Sequence, residues 1–389
     1  MRFAKITATD GIMRPSRTIT DIRQLCCLGL GGESIMPALF DSIQKLVPSH
    51  FQIFLWADEH YQVSNMFCFD LPSLAQIAEL YLREFVNKRE QEAKPPFSEI
   101  MRSERGTVNW NRYHNQKFFQ SDFYQEILRP LKAHHILATV IHEHNRALGE
   151  LVLARTPGEA PFTQGDEYIL LGLIPYIAHG LRVRTDKQPV FISTGKHGMA
   201  ILTENGEIEY ACPQAHELLF WATHPQISQS TMKDPGWLSV PPALVRLCKN
   251  LSELFQGKPA PVPVLHHHNP WGRFTFRAYW LDHREFTQGK RIGMTIEYHE
   301  PLILTLFSRM NAYPLSTRQK EICQLLLSDY THAEIAKRLN ISVHTLVDHV
   351  RKIYEKLDVH NRQELLKKFS IETGLDAGHA PSRAISQLP

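Results

Sequence analysis

Residues 315–369 read LSTRQKEICQLLLSDYTHAEIAKRLNISVHTLVDHVRKIYEKLDVHNRQELLKKF, four helical runs joined by very short turns. In the first run Ile322, Leu325 and Leu326 are apolar, and Ser316 is an N-cap candidate with Gln319 as its capping-box partner. Thr331 opens the second run, with Ile335, Ala336 and Leu339 at helical spacing. Asn340-Ile341-Ser342 is a tight turn, and Ser342 can cap the third run. That run extends from about Val343 to Leu357. Leu346, Val350, Ile353 and Leu357 recur at i, i+4, i+7 and i+11, so one face is buried. A fourth helix, about Arg362 to Phe369, carries Leu365, Leu366 and Phe369.

With Leu346 and Val350 inward, the third helix cannot also bury His344, Thr345, Val347, Asp348, Arg351, Lys352, Glu355 and Lys356. Residues 315–369 hold ten Lys and Arg against seven Asp and Glu, so 10 − 7 = +3. Positive charge on an exposed helix suits phosphates, because neutralising them releases condensed counterions. A four-helix bundle with an ordinary solvated face is the competing reading of the periodicity.

The segment resembles the DNA-binding domain of the LuxR/FixJ/NarL class of bacterial transcription regulators. The matching letters are Leu315-Ser316-x-Arg318, Glu321, Glu334-Ile335-Ala336, Leu339, Ile341-Ser342, Thr345, His349, Ile353, Lys356-Leu357, Val359, Arg362 and Glu364. The resemblance implies a helix-turn-helix, with Thr331 to Leu339 as positioning helix and Val343 to Leu357 as recognition helix. The implied DNA-binding residues are Lys337, Thr345, Val347, Asp348, Arg351 and Lys352. Family members usually carry Lys where this chain has Val347, so an apolar side chain suited to a thymine methyl replaces a cation. The family's last helix often makes a dimer contact, which nominates Leu365, Leu366 and Phe369. Packing inside the bundle is the alternative for those three.

The whole chain has 389 residues, 43 % hydrophobic and 21 % charged, with a net charge of +3. That is an ordinary globular composition of several domains, so DNA attraction must be local. Six cysteines (Cys26, Cys27, Cys68, Cys212, Cys248, Cys323) form no CxxC pair and read as buried free thiols of a reducing compartment. No charged-then-apolar leader pattern opens the chain. The longest apolar stretch, Tyr168 to Leu181, is too short for a bilayer and contains Pro175 and His179. The expectation is a cytoplasmic protein that does not enter a membrane.

Upstream, about 30–184 reads as an α+β module. Ser34 to Leu46 and Leu74 to Phe85 are helical, and Phe51 to Trp56 pairs with Val63 to Phe69. Ile136 to Glu143 and Leu148 to Ala154 form a second hairpin, followed by the apolar helix Gly165 to Val183. The order, ending in PFTQGDEYILLGLIPYIAHGL, is similar to GAF-type sensor domains. The loop-rich span Pro95 to Asp122, with Phe123, contributes Trp110, Tyr113, Phe118, Phe119 and Phe123, which suit either core or a ligand pocket.

Residues 189–300 read as a second α+β module. Gly198 to Leu202 and Glu207 to Ala211 flank Asn205-Gly206, a type I′ hairpin signal. A helix starts at Ala215 to Phe220, and Arg273 to Leu281 and Arg291 to Tyr298 alternate as strands. GMAILTENGEIEYACPQAHELL gives this module its resemblance to PAS-type domains, although Cys212 stands where a polar residue is usual. His266-His267-His268 reads as a polar loop rather than a metal site, because adjacent imidazoles on a strand point to opposite faces and Asn269-Pro270 favours a turn.

The fold expected is multidomain: two α+β sensor-type domains (GAF-like, PAS-like) followed by an all-α four-helix helix-turn-helix domain. The segments are a 1–29 extension, 30–184, 189–300, a 301–314 linker helix, 315–370 and a 371–389 tail. The function expected is a one-component transcription regulator that binds promoter double-stranded DNA as a homodimer, with no catalytic residues, metal or named cofactor. Either a small-molecule ligand controls it, or the upstream domains only dimerise or bind a protein. A phosphorylated response regulator is disfavoured, because Asp10 and Asp21 stand alone early and no βαβ repeat follows. An attached enzyme is disfavoured by the absence of a nucleophile elbow, phosphate loop, HExxH or paired-Cys motif.

Overall fold

A computed structural model of the chain describes residues 17–103, 106–182, 189–232, 242–281, 291–327 and 330–369. The first module opens with α1 (Arg17–Cys26) and α2 (Gly32–Leu46), then β1 (Phe51–Ala57) and β2 (Val63–Phe67). A helical cover follows: α3 (Ala75–Leu80), a π-helical turn Tyr81–Phe85, a 3₁₀ turn Arg89–Glu92 and α4 (Phe97–Ser103). After β3 (Gly106–Asn109) come a 3₁₀ turn Trp110–Tyr113, α5 (Gln116–Gln120) and a π-helical turn Phe123–Leu128. The hairpin β4 (His135–Glu143) and β5 (Arg146–Arg155) leads into α6 (Gln164–Arg182). The antiparallel sheet has order β2-β1-β5-β4-β3. The span expected to be loop-rich therefore supplies an edge strand, and Trp110, Phe118 and Phe123 are buried in a core of their own.

Both faces of this sheet are covered, and strand alternation divides the side chains between them. Leu137, Ile141, Leu151 and Leu153 join the core shared with α1, α2 and α6. Ile136, Ala138, Val152 and Ala154 face the helical cover. Gly180 lets α6 approach its neighbours: a Cβ there would lie 2.7 Å from Ile35 Cδ1 and 3.1 Å from Cys26 Cα.

The second module has β6 (Phe191–Leu202), β7 (Ile208–Ala211), α7 (Pro213–Thr223), α8 (Pro242–Phe255), β8 (Val264–Asn269), β9 (Gly272–Leu281) and β10 (Arg291–Pro301). Its antiparallel order is β7-β6-β10-β9-β8. Three expectations change here. The histidine run is strand, not loop: His266, His267 and His268 pair in register with Thr275, Phe274 and Arg273. Pairing with β9 carries the strand up to Asn269, so the turn that Asn269-Pro270 signals is confined to the hairpin end, Asn269–Gly272. The Asn205-Gly206 turn is not type I′, because Gly206 alone takes a positive φ, +87°. A Gly206 N to Thr203 O bond of 2.9 Å closes a longer loop that absorbs the irregular register between Ile201 and Leu202. Nor are all the thiols buried: Cys27 is exposed and Cys212 half-buried, with all six free.

The two modules share one apolar core. Trp271 stacks on Phe67 at 5.6 Å and meets Trp56 edge-on at 6.2 Å. Asn65 Oδ1, buried in the first module, accepts from Ile227 N of the second at 2.9 Å.

Next come α9 (Leu302–Met310), α10 (Thr317–Leu327), α11 (His332–Arg338), α12 (Val343–Leu357) and α13 (Arg362–Phe369). Leu304 and Phe307 of α9 enter the sheet-module core, whereas Leu306 and Met310 enter the helical core. α1 also reaches the helical head. Gln24 Nε2 donates to Thr317 O at 3.0 Å and Arg17 Nη2 to Asn311 O at 2.9 Å. Lys320, only 2 % exposed at its side chain, pairs with Asp21 and donates to Asn311 Oδ1 at 2.6 Å. The 1–29 extension thus contains a helix packed on both halves of the molecule. The expected 371–389 tail lies outside the described residues, and among the described residues no helix is long and apolar enough to cross a membrane.

Candidate nucleic-acid interface

Each helix of the head begins on a side-chain cap. Ser316 and Gln319 form a capping box, with Ser316 N donating to Gln319 Oε1 at 2.9 Å and Gln319 N to Ser316 Oγ at 3.2 Å. Thr331 and Glu334 form a second, through Thr331 N to Glu334 Oε2 (2.8 Å) and Glu334 N to Thr331 Oγ1 (3.3 Å). Such caps fill amides that a helix start leaves without partners. Asn340, left-handed at φ +50°, turns the chain after α11, and Ser342 Oγ accepts from Thr345 N at 3.0 Å to start α12. Arg318 bridges the motif: Nη1 donates to Glu321 Oε2 at 2.8 Å and Nη2 to Leu339 O at 2.5 Å. It ties α10 to the end of α11, while its i, i+3 pair with Glu321 stays within α10.

Leu346, Val350, Ile353 and Leu357 are buried along α12. The opposite face is open: Thr345, Arg351 and Lys352 are exposed, as is Lys337 on α11, and Val347 is 48 % exposed. Asp348 is half-buried between His344 Nδ1 (3.6 Å) and Arg351 Nη2 (3.7 Å), and Arg351 Nε lies 3.9 Å from Glu355. Exposed pairs at such distances contribute about 0–1 kcal/mol, so Arg351 can exchange them for another anion at little cost. Lys356 is committed elsewhere, donating to Pro314 O at 2.9 Å and Gln319 Oε1 at 2.8 Å. Arg338, not singled out from the sequence, is exposed beside Lys337, over the Tyr330 ring at 4.0 Å.

The dimer-face residues need correction. Leu365 and Phe369 are wholly buried in the core of their own head, because α13 packs back on α9 and α10. The side chain of Leu366 lies outside the described residues.

Residues 313–369 match the family model for bacterial regulatory proteins, luxR family. This segment is a luxR-family helix-turn-helix domain. Among curated proteins, the transcriptional regulatory protein DesR of Bacillus subtilis is 35 % identical over 85 residues, which are 22 % of this chain and 39 % of DesR. The HTH-type transcriptional regulator MalT of Yersinia pestis is 34 % identical over 55 residues, 14 % of this chain and 6 % of MalT. The chain thus spans under half of either relative. Among solved structures, Escherichia coli SdiA aligns over 91 % of this chain and 97 % of its own at 13 % identity and a TM-score of 0.28. A VqmA–ligand–DNA complex of Vibrio cholerae aligns over 45 % of this chain and 83 % of its own at 15 % identity and a TM-score of 0.21. TM-scores this low carry no argument about the upstream modules.

Proposed function

We propose that this chain is a one-component DNA-binding transcriptional regulator of the cytoplasm. One observation carries the reading: the luxR-type head turns Val347 and Arg351 of α12 to solvent, with Asp348 half-buried between them, while Leu346 and Val350 anchor the helix. The open face enters a major groove about 12 Å wide. Arg351 and Lys352 contact base edges or phosphates, Thr345 and Lys337 contact phosphate, and Val347 meets a thymine methyl. The 30–184 module is GAF-like in type and the 189–300 module PAS-like, and together they act as the sensor. α9, with side chains in both cores, and α1, bonded to the head, carry a sensor shift to α12.

Two half-sites require two copies of the head. α13 offers no apolar face in Leu365 or Phe369, but the second sheet does. Tyr210, Ile201, Gly293 and Tyr279 lie across four neighbouring strands. Tyr210 is 69 % exposed, Tyr279 49 % and nearby Met199 61 %. A second copy of this chain covers that face across a two-fold axis.

The test uses DNA selected by the protein from a random pool. Arg351→Ala lowers affinity for the selected site by about 1–3 kcal/mol and relaxes its sequence preference. Unchanged specific affinity in that variant overturns the reading. Tyr210→Glu shifts the protein to monomer in analytical ultracentrifugation if the sheet face is the dimer surface, and an unchanged dimer rules that surface out.

A further inference from the structure

Between the first sheet and its helical cover lies a cavity of about 90 Å³. Ile53, Leu55, Val152, Phe123, Ile127 and Leu131 supply apolar wall. At one place the lining turns polar, through Tyr81, Lys94, Trp110 and Glu150. Glu90, wholly buried beside them, is saturated. Its Oε1 accepts from the backbone N–H groups of Asn87 (2.9 Å) and Phe97 (2.6 Å), and its Oε2 from Lys94 Nζ (2.8 Å) and Tyr81 OH (3.4 Å). Lys94 also donates to Pro95 O at 3.1 Å. One carboxylate and one ammonium therefore answer each other.

Glu150 has no such answer. It is 2 % exposed and shares strand parity with Val152, so it faces the cavity, and among the described residues its Oε1 has no hydrogen-bond partner. The buried Trp110 Nε1–H, from another cavity-lining residue, also lacks one among the described residues. Burial pushes the Glu150 carboxyl up to about 7, with Lys94 pulling it down and Glu90 pushing it up. An unmet acceptor in an apolar enclosure costs free energy unless something fills it.

We propose that this cavity binds a compact apolar amine, its ammonium donating to Glu150 Oε1 and its hydrocarbon body lying against the sheet and cover. Since Glu90 cancels Lys94, a cation beside the ionised Glu150 leaves the enclosure neutral, whereas a carboxylate ligand would place a second surplus anion there. The aromatic walls agree: Lys94 Nζ already lies 5.1 Å from the Trp110 ring centre and 5.6 Å from that of Phe123, faces that attract a cation. The volume sets the size. A cavity of about 150 Å³ takes up benzene, so this smaller one suits about five heavy atoms.

The proposal rests on the sensor reading only for its consequence at DNA. Calorimetry on the full chain at pH 8, where Glu150 is ionised, with isobutylamine, isobutanol and isobutyrate tests the site. The amine is expected to bind at least about tenfold more tightly than the alcohol, with isobutyrate weakest, and Glu150→Gln is expected to erase the amine's advantage. Trp110→Phe retains the advantage. Absence of amine binding, isobutyrate binding as tight as the amine, or an undiminished amine preference in a folded Glu150→Gln variant each overturns the site. Fluorescence anisotropy with selected DNA separates the two ideas: amine binding that leaves DNA affinity unchanged supports the site and overturns its role as sensor.

Discussion

Replacing Glu150 by Gln is expected to stabilise the first module at pH 8 and to do little at pH 4.5. In the fold, burial chiefly raises the Glu150 carboxyl from 4.5 to about 7, with Lys94 opposing and Glu90 assisting. The unfolded chain ionises this group above its ordinary value, while the folded chain keeps it protonated until near neutrality. Between those limits the folded state binds the extra proton, so stability falls as pH rises through the window. At about 1.4 kcal/mol per pH unit, the loss reaches about 3 kcal/mol by pH 8. Gln keeps the shape and does not titrate, so the variant escapes that loss. The charged and titratable groups around the site (Glu90, Lys94, Tyr81 and, in the cavity wall, Cys68) are common to both proteins. A chain of several domains need not unfold in one step, so the measurement is hydrogen exchange at the paired amides of β4 and β5 across pH 4.5–8. A difference between variant and parent that stays flat across this range means that Glu150 is ionised and matched at neutral pH, and the argument from a surplus buried carboxylate fails.

Further outcomes concern the head and its attachment. Leu346→Ala is expected to destabilise the helical head by about 2–5 kcal/mol, because Leu346 is wholly buried under α12, whereas Val347→Ala leaves its stability within about 0.5 kcal/mol. Separate urea unfolding of the head measures both, and equal effects would contradict the assigned faces. Asp21→Ala leaves Lys320 buried with a single side-chain partner, at a cost of about 3 kcal/mol. Faster hydrogen exchange in α1 and α10 is the expected sign, restored in part by adding Lys320→Met. Lys352→Ala is expected to weaken DNA binding about equally for all sequences and to lower the salt slope by about 1, read by anisotropy over a salt series.

The head was largely legible in the letters. Its helix starts depend on Ser316, Thr331 and Ser342, each capping amides within three residues, and its buried stripe on the spacing of Leu346, Val350, Ile353 and Leu357. Those are local interactions, so order along the chain reports them. The hairpins of the first sheet were legible for the same reason. The histidine run was not, because the Asn269-Pro270 turn marks only the end of a strand whose extent is set by pairing with β9.

By itself, the sequence determined where the helices of the head and the two hairpins of the first sheet lie, which stripe of α12 is apolar and which residues stand opposite, but not α1, β3 or β8. Whether Leu365 and Phe369 face a partner or their own core depends on how α13 folds back on α9 and α10, which helical periodicity does not encode. Alternation in β5 puts Glu150 beside Val152, but both faces of that strand are covered, so the chemistry it meets is set by the far side of the cavity. Tertiary structure also decided the fate of α1, whose Asp21 finds Lys320 some 299 positions along the chain. Burial and charge balance are sums over neighbours brought together by the whole fold, and short-range order carries no record of them.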